Sequence, residues 1–139
     1  MPSFIFNSAV RDEATGAIDY DTDNFKVMLL TAAAAPNKDT WAKRSDVTNE
    51  VVGTGYTAGG AAVVVAVGAV DAVNDRVDIS LGGATWANAT ITARYAVYYV
   101  ARGGAATADE LVAVNDFGAD VASTAAAFAL EASTYRKQN

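Results

Sequence analysis

Apolar and polar positions along this chain fall into short runs separated by glycine, asparagine and proline. Phe25 to Thr31, "FKVMLLT", is a compact β-compatible run that ends near Pro36 and Asn37, where a turn is expected. Ala61 to Val67, "AAVVVAV", sits between Gly59-Gly60 and Gly68, and three consecutive valines favour a strand, because Cβ branching restricts χ1 in a helix. Asn74-Asp75 predicts a tight turn into "RVDISL", where Val77, Ile79 and Leu81 alternate with Asp78 and Ser80 as in a half-buried strand. In Thr92 to Ala101, Tyr95, Val97 and Tyr99 share one face while Arg94, Ala96, Tyr98 and Val100 share the other. Bulk on both faces predicts a central strand.

Two further strands are expected in "ELVAVNDFG" and "TAAAFAL"; Thr107 to Glu110 resembles a capping box, but Asn115 and Gly118 leave little room for a helix. "TWAKRSDV" suits one short helical turn. With the N-terminal "FIF", the pattern predicts about eight short strands and glycine-rich turns: an all-β, antiparallel, jelly-roll-like β-sandwich. Residues 1–139 fit one domain. Within it, residues 1–10 are expected as a docking arm or edge strand and residues 132–139 as a polar tail.

Composition narrows the function classes. Apolar residues make up 52% of the chain, but many are alanine, so the five Phe, six Tyr and two Trp must fill much of the core. Cysteine is absent, which removes disulfides, thiolate metal sites and thiol nucleophiles; histidine is absent too, which removes the commonest general base and metal ligand. A formal charge of −6, with basic clusters no larger than Lys43-Arg44 and Arg136-Lys137, argues against a nucleic-acid partner. The start of the chain lacks the pattern of a secretory signal, and the longest apolar run, Ala61 to Val70, is too short to span a bilayer. A soluble protein made in a cytoplasm, with no membrane partner, is expected.

Several motifs invite chemistry. "VVGTGYTAGGAA" (residues 51–62) has the letters of a dinucleotide-binding loop in Gly53, Gly55 and Ala58. Gly59-Gly60 and a valine run come next, so no helix N-terminus is available for a pyrophosphate. The glycines are better explained by a bent connection that needs positive φ or close backbone approach. Asp19, Asp21 and Asp23 alternate like the start of a calcium loop, but Asn24 and Leu30 occupy the positions where an EF-hand needs glycine and glutamate. A looser calcium site stays open beside the plainer reading of a solvated loop.

The serines lack a nucleophile-elbow context, and nothing in the sequence brings Glu13, Asp109 and Glu110 into one cleft; neither an enzyme nor a cofactor is expected. Tyr95, Tyr98 and Tyr99 read as core, with carbohydrate stacking (through Tyr98 or Trp86) as the competing use. Phe4, Ile5 and Phe6 form either an edge strand or an arm that docks on a partner.

In order, "FKVMLLT", "NEVVGTGYTAGGAAV", "NDRVDISLGGATWANATITARYAVYYVARG" and "LVAVNDFG" resemble a family of small virion proteins of tailed bacteriophages. The resemblance covers about Phe25 to Gly118, with "E-V-x-G-T-G-Y-T-A-G-G-A" (Glu50 to Ala61) and "TWANATITARYAV" as its characteristic motifs, the first fairly specific because it spans a dozen consecutive residues; the N-terminal segment and "STYRKQN" lie outside it. It implies a non-enzymatic particle component. The reading it favours is a capsid cement or decoration protein on the capsid exterior, bound to the major capsid protein and made in the bacterial host cytoplasm. A homo-oligomer, most simply a dimer, is expected, with Phe4, Ile5, Phe6 and Trp41 as contact residues. A tail-tip, baseplate or fibre-associated protein is the alternative, and a carbohydrate-binding sandwich the second one.

Overall fold

The computed structural model describes residues 1–139. Eight strands are present: β1 (Phe4–Ile5), β2 (Phe25–Leu30), β3 (Ala61–Val63), β4 (Val65–Val67), β5 (Arg76–Leu81), β6 (Ala84–Val100), β7 (Leu111–Leu130) and β8 (Ser133–Gln138). One helix, α1 (Asn7–Thr15), and three 3₁₀ turns complete the fold. A five-stranded sheet runs β1-β7-β6-β2-β3 and a three-stranded sheet runs β4-β5-β8, with every pairing antiparallel. The architecture is the expected all-β, sandwich-like one. Both sheets contribute to one hydrophobic cluster of 29 buried residues.

The two sheets are related by their crossings. The chain passes from the large sheet to the small one at Val64, returns at Gly82-Gly83, and passes over again at Glu131-Ala132. The strand order β7-β6-β3 in one sheet, with β2 inserted, therefore reappears as β8-β5-β4 in the other. One ribbon of strands is folded over a corner, as in sandwiches whose strands switch sheets at bends. At that corner the Gly82 N–H donates to the Val64 carbonyl at 2.7 Å. A Cβ on Gly82 would lie 2.6 Å from the same oxygen, so only glycine allows the backbones this close.

Local sequence explains most elements. β5 occupies the residues that the alternation marks, and Ile79 and Leu81 are buried on its inner side. Residues Ala96 to Val100 of β6 are buried throughout, as befits a strand between β2 and β7. Three expectations are corrected. β6 and β7 are 17 and 20 residues long rather than short, and the two segments expected on either side of Gly118 merge into β7. Their continuity survives because the register slips at bulges, from Ala93↔Val121 to Tyr95↔Asp116 in the largest case. The valine run is two strands, split at Val64.

Finally, residues 133–138 form β8 rather than a polar tail: Arg136 lies opposite Asp78 and pairs with it at 2.8 Å, and Lys137 reaches Glu13 at 2.7 Å.

The N-terminal segment is also more ordered than an arm. β1 pairs with β7 through Phe4↔Val114 and Ile5↔Ala113, and α1 comes directly after it. Gly16, in the left-handed region at φ +79°, closes the helix by donating its N–H to the Glu13 carbonyl. Glu13 then ties the helix to the small sheet, accepting bonds from Tyr20 and Tyr135 hydroxyls at 3.1 and 3.0 Å as well as from Lys137. No helix is long and apolar enough to cross a membrane.

Corner and core can each be tested by unfolding. Gly82→Ala is expected to lower the unfolding free energy by about 1–3 kcal/mol. Gly104→Ala, whose Cβ meets nothing within 4 Å, should change it by less than about 0.5 kcal/mol; urea titration measures both. Burial pushes the phenols of Tyr98 and Tyr99 up to about 12. Because these folded values lie above the unfolded one near 10, that part of the stability is complete below about pH 10 and is lost as pH rises towards 12. Urea midpoints taken from pH 9 to 12 should therefore fall, and the fall should be smaller for Tyr98→Phe, which has no proton to lose at that position.

Candidate docking surface

The glycine-rich loop is held by side chains of its own neighbourhood. One Glu50 oxygen accepts both the Tyr56 hydroxyl and the Gly59 N–H at 2.7 Å. The Tyr56 oxygen accepts the Leu29 N–H at 3.0 Å, and the Tyr99 hydroxyl donates to the Gly59 carbonyl at 2.6 Å. Gly60, at φ +79°, passes so close to β2 that a Cβ would meet the Val27 carbonyl at 1.8 Å. Gly55 likewise rides on the β6 backbone at Ala89. The glycines thus serve close approach, as the sequence suggests. The Gly59 and Gly60 N–H groups are taken by Glu50 and the Thr57 carbonyl, so they form no phosphate cradle.

This pinned loop delivers the chain to the outside of both sheets. β3 and β4 are each the last strand on their side, and their outer backbone edges are unpaired. From this edge to the tip of the β4–β5 hairpin, four valines stand out in water: Val64 at 78% exposure, Val67 at 45%, Val70 at 77% and Val73 at 91%. No charged residue occurs between Glu50 and Asp71. Sheet edges in proteins that act alone are ordinarily protected by charge, proline or a covering segment. Here an apolar, uncharged edge is left open, the profile of a surface that another molecule covers.

The residues expected to meet a partner lie elsewhere. Phe6 is fully buried, while Phe4, Ile5 and Trp41 are half-buried and packed against the core. Phe4 meets Phe6 edge-on at 5.3 Å and Trp41 stacks on it at 6.5 Å, so three of the four form one structural cluster. Phe6 offers no surface to a partner.

The other candidates are also accounted for. Asp19 accepts the Asp21 N–H, and Asp23 accepts the Asp19 N–H, both at 2.9 Å. Asp23 in addition pairs with Arg102 at 2.9 Å. Hydrogen bonds from Thr22 and from the Asp21 N–H hold the Asp19 carboxyl below its ordinary range. No three carboxylates converge in the way a metal site requires. Asp109 and Glu110 are buried in an ion-pair network: Arg44 to Asp109 at 2.6 Å, Arg102 to Glu110 at 3.1 Å and Lys43 to Glu110 at 3.5 Å. Tyr98, Tyr99 and Trp86 are in the core, so the rings that a sugar would stack on are covered by protein.

Comparison with known protein families, with curated proteins and with solved structures finds no match.

If the valines are a docking surface and not part of the folding core, the double variant Val64→Lys/Val70→Lys should keep its unfolding free energy within about 0.5 kcal/mol of the parent. A loss above about 2 kcal/mol on urea titration would show that they support the fold instead.

Proposed function

We propose that this chain is a non-enzymatic virion structural protein of a tailed bacteriophage, a cement or decoration protein bound to the outer face of the major capsid lattice. The resemblance carried by "VVGTGYTAGGAA" and "TWANATITARYAV" supplies the viral setting. The observation that carries the docking role is the uncharged, valine-bearing open edge of β3 and β4. The carboxylates that could have served hydrolysis are engaged in ion pairs and hydrogen bonds, which supports a scaffold more than a catalyst.

Cementing requires reach to more than one neighbour. A second unpaired edge lies on the opposite side of the large sheet, along β7 beyond its short pairing with β1, where Val121 is 44% exposed. One edge would bind a capsid subunit, and the other an adjacent subunit or a second copy across a two-fold axis. Each contact can be moderate, since a specific interface needs only about 1,600 Å² in total. Simultaneous engagement on an assembled lattice raises the effective concentration of the second contact. The protein would then add stability to shells and little to free subunits.

The contact assignment moves from the N-terminus to the valine edge. Deleting residues 1–10 removes Phe6 and Ala9 from the core, so loss of binding on truncation would report unfolding. The discriminating variant is Val64→Lys/Val70→Lys. It takes two apolar side chains out of the interface, each worth about 1.5 kcal/mol, and should bind shells at least about a hundredfold more weakly in co-sedimentation. Gold-labelled antibody against the protein should decorate the whole head of intact particles. Label confined to the tail, or undiminished binding by the variant, would overturn the proposal.

A further inference from the structure

Beside the uncharged edge, cationic side chains of neighbouring elements come close. In the ladder Lys26 of β2 stands opposite Ala62 of β3 on one side and Tyr99 of β6 on the other, so these three side chains form one row across the sheet. Arg44 lies over the Tyr99 ring, 5.5 Å from its centroid. A hollow of about 440 Å³ is lined by Lys26, Arg44 and Tyr99 together with Asn24, Gly59, the Gly103-Gly104 turn and Asp109, whose carboxylate is taken up by Arg44 and the Arg102 N–H. A second hollow, of about 370 Å³, shares Asn24, Lys26 and Ala101 with the first and is walled by Val63, Val64 and Val65; Asp23, at its rim, is paired with Arg102 at 2.9 Å. The two are lobes of one groove along the free edge of β3, with Lys26 at their junction.

Charge singles out this groove. Of the ten basic side chains, eight have a carboxylate partner, and only Lys26 and Lys38 have none. Lys38 is on the open surface, whereas Lys26 is half-buried in the groove. Arg44 gives its Nε–H to Asp109 at 2.6 Å, and its two terminal nitrogens donate to no protein acceptor. The groove thus holds an unpaired ammonium and two free guanidinium nitrogens beside two carboxylates, Asp23 and Asp109, that arginines already engage.

We infer that the groove receives an extended segment of a partner protein in which a carboxylate neighbours a branched apolar residue. The carboxylate is held by Lys26 and Arg44 through charge-assisted hydrogen bonds. The apolar residue enters the lobe walled by Val63 to Val65, and the segment's backbone runs along the unpaired edge of β3 in the manner of strand addition. A small inorganic anion would use the cations and leave the apolar lobe and the strand edge unfilled. The inference rests on the β3–β4 edge being a docking surface and is independent of whether the partner is a capsid subunit.

The test is an amide ¹⁵N–¹H titration of the full chain with the probe peptide acetyl-Ala-Val-Glu-Val-Ala-amide. The Gln counterpart of that peptide and sodium acetate serve as comparisons. The Glu peptide should shift the Gly59, Val64, Gly103 and Gly104 amides. Binding of the Gln peptide to the parent, and of the Glu peptide to the Lys26→Gln variant, should each be at least about tenfold weaker, as expected for loss of one charge-assisted bond. Acetate alone should be weaker by a similar factor because it leaves the apolar lobe and the strand edge unfilled. Lys26→Arg should restore binding, which separates loss of charge from loss of fold. Absence of shifts up to about 10 mM peptide, equal binding of the Glu and Gln peptides, or indifference to Lys26→Gln would overturn the inference. Acetate as tight as the peptide would overturn the extended occupant. Peptide binding without shell binding removes the capsid reading and keeps this one; shell binding without peptide binding does the reverse.

Discussion

The fold depends on one corner. At Val64, Gly82-Gly83 and Glu131-Ala132 the chain leaves one sheet for the other, and the Gly82 N–H to Val64 carbonyl bond fixes two of these crossings against each other. Because side chains point to alternate faces, a slip of one residue at the corner would turn the inward set of β4 and β5 to water. The corner therefore sets the register of the small sheet and keeps Ile79 and Leu81 in the shared core. It also decides what is left over: β2 is inserted in the large sheet alone, and β3 and β4 end up outermost in both sheets with nothing beyond them. The exposed edge is a consequence of how the ribbon folds over.

Around this frame, carboxylates act as fasteners. Glu50 holds the glycine loop to β2 through Tyr56 and Gly59, Glu13 holds α1 to β8 through Tyr135 and Lys137, and Asp109 holds the β6–β7 turn to the segment before β3 through Arg44. Each is at least partly withdrawn from water, and each has more than one donor, the condition under which burying a charge is tolerated. The consequence extends to the proposed docking surface on the β3–β4 edge. A loop fixed by such bonds loses little further freedom when a partner arrives, which removes part of the ordering cost of association.

How much of this could be read from the residues differs from element to element. β5 was legible because Val77, Ile79 and Leu81 alternate with polar neighbours, and the core of β6 because both faces carry bulk. The glycines of the loop were legible as well, since no helix-forming sequence comes after them. α1 was hidden because only Ala9 and Asp12 face inward, so no apolar stripe marks it; Gly16 at its end was the available signal. β8 was hidden because its burial is partial and its charges find partners on β5 and α1, which composition alone presents as a polar tail. The valine edge was hidden for a physical reason too. "AAVVVAV" has the composition of a buried strand, and its exposure arises only because the corner at Val64 cuts the run in two and leaves both pieces outermost.

An open apolar edge invites indiscriminate pairing, and the structure limits that hazard by geometry. β3 and β4 are three residues each, and the turn between them breaks the row of free backbone groups into two short stretches at an angle. Long in-register stacking, which needs a flat and continuous edge, is denied to both. Net negative charge keeps copies apart at long range, while the edge itself carries none. What remains attractive is short-range and shape-dependent: four valines, two brief strand edges and, beside them, a groove in which Lys26 has no carboxylate partner.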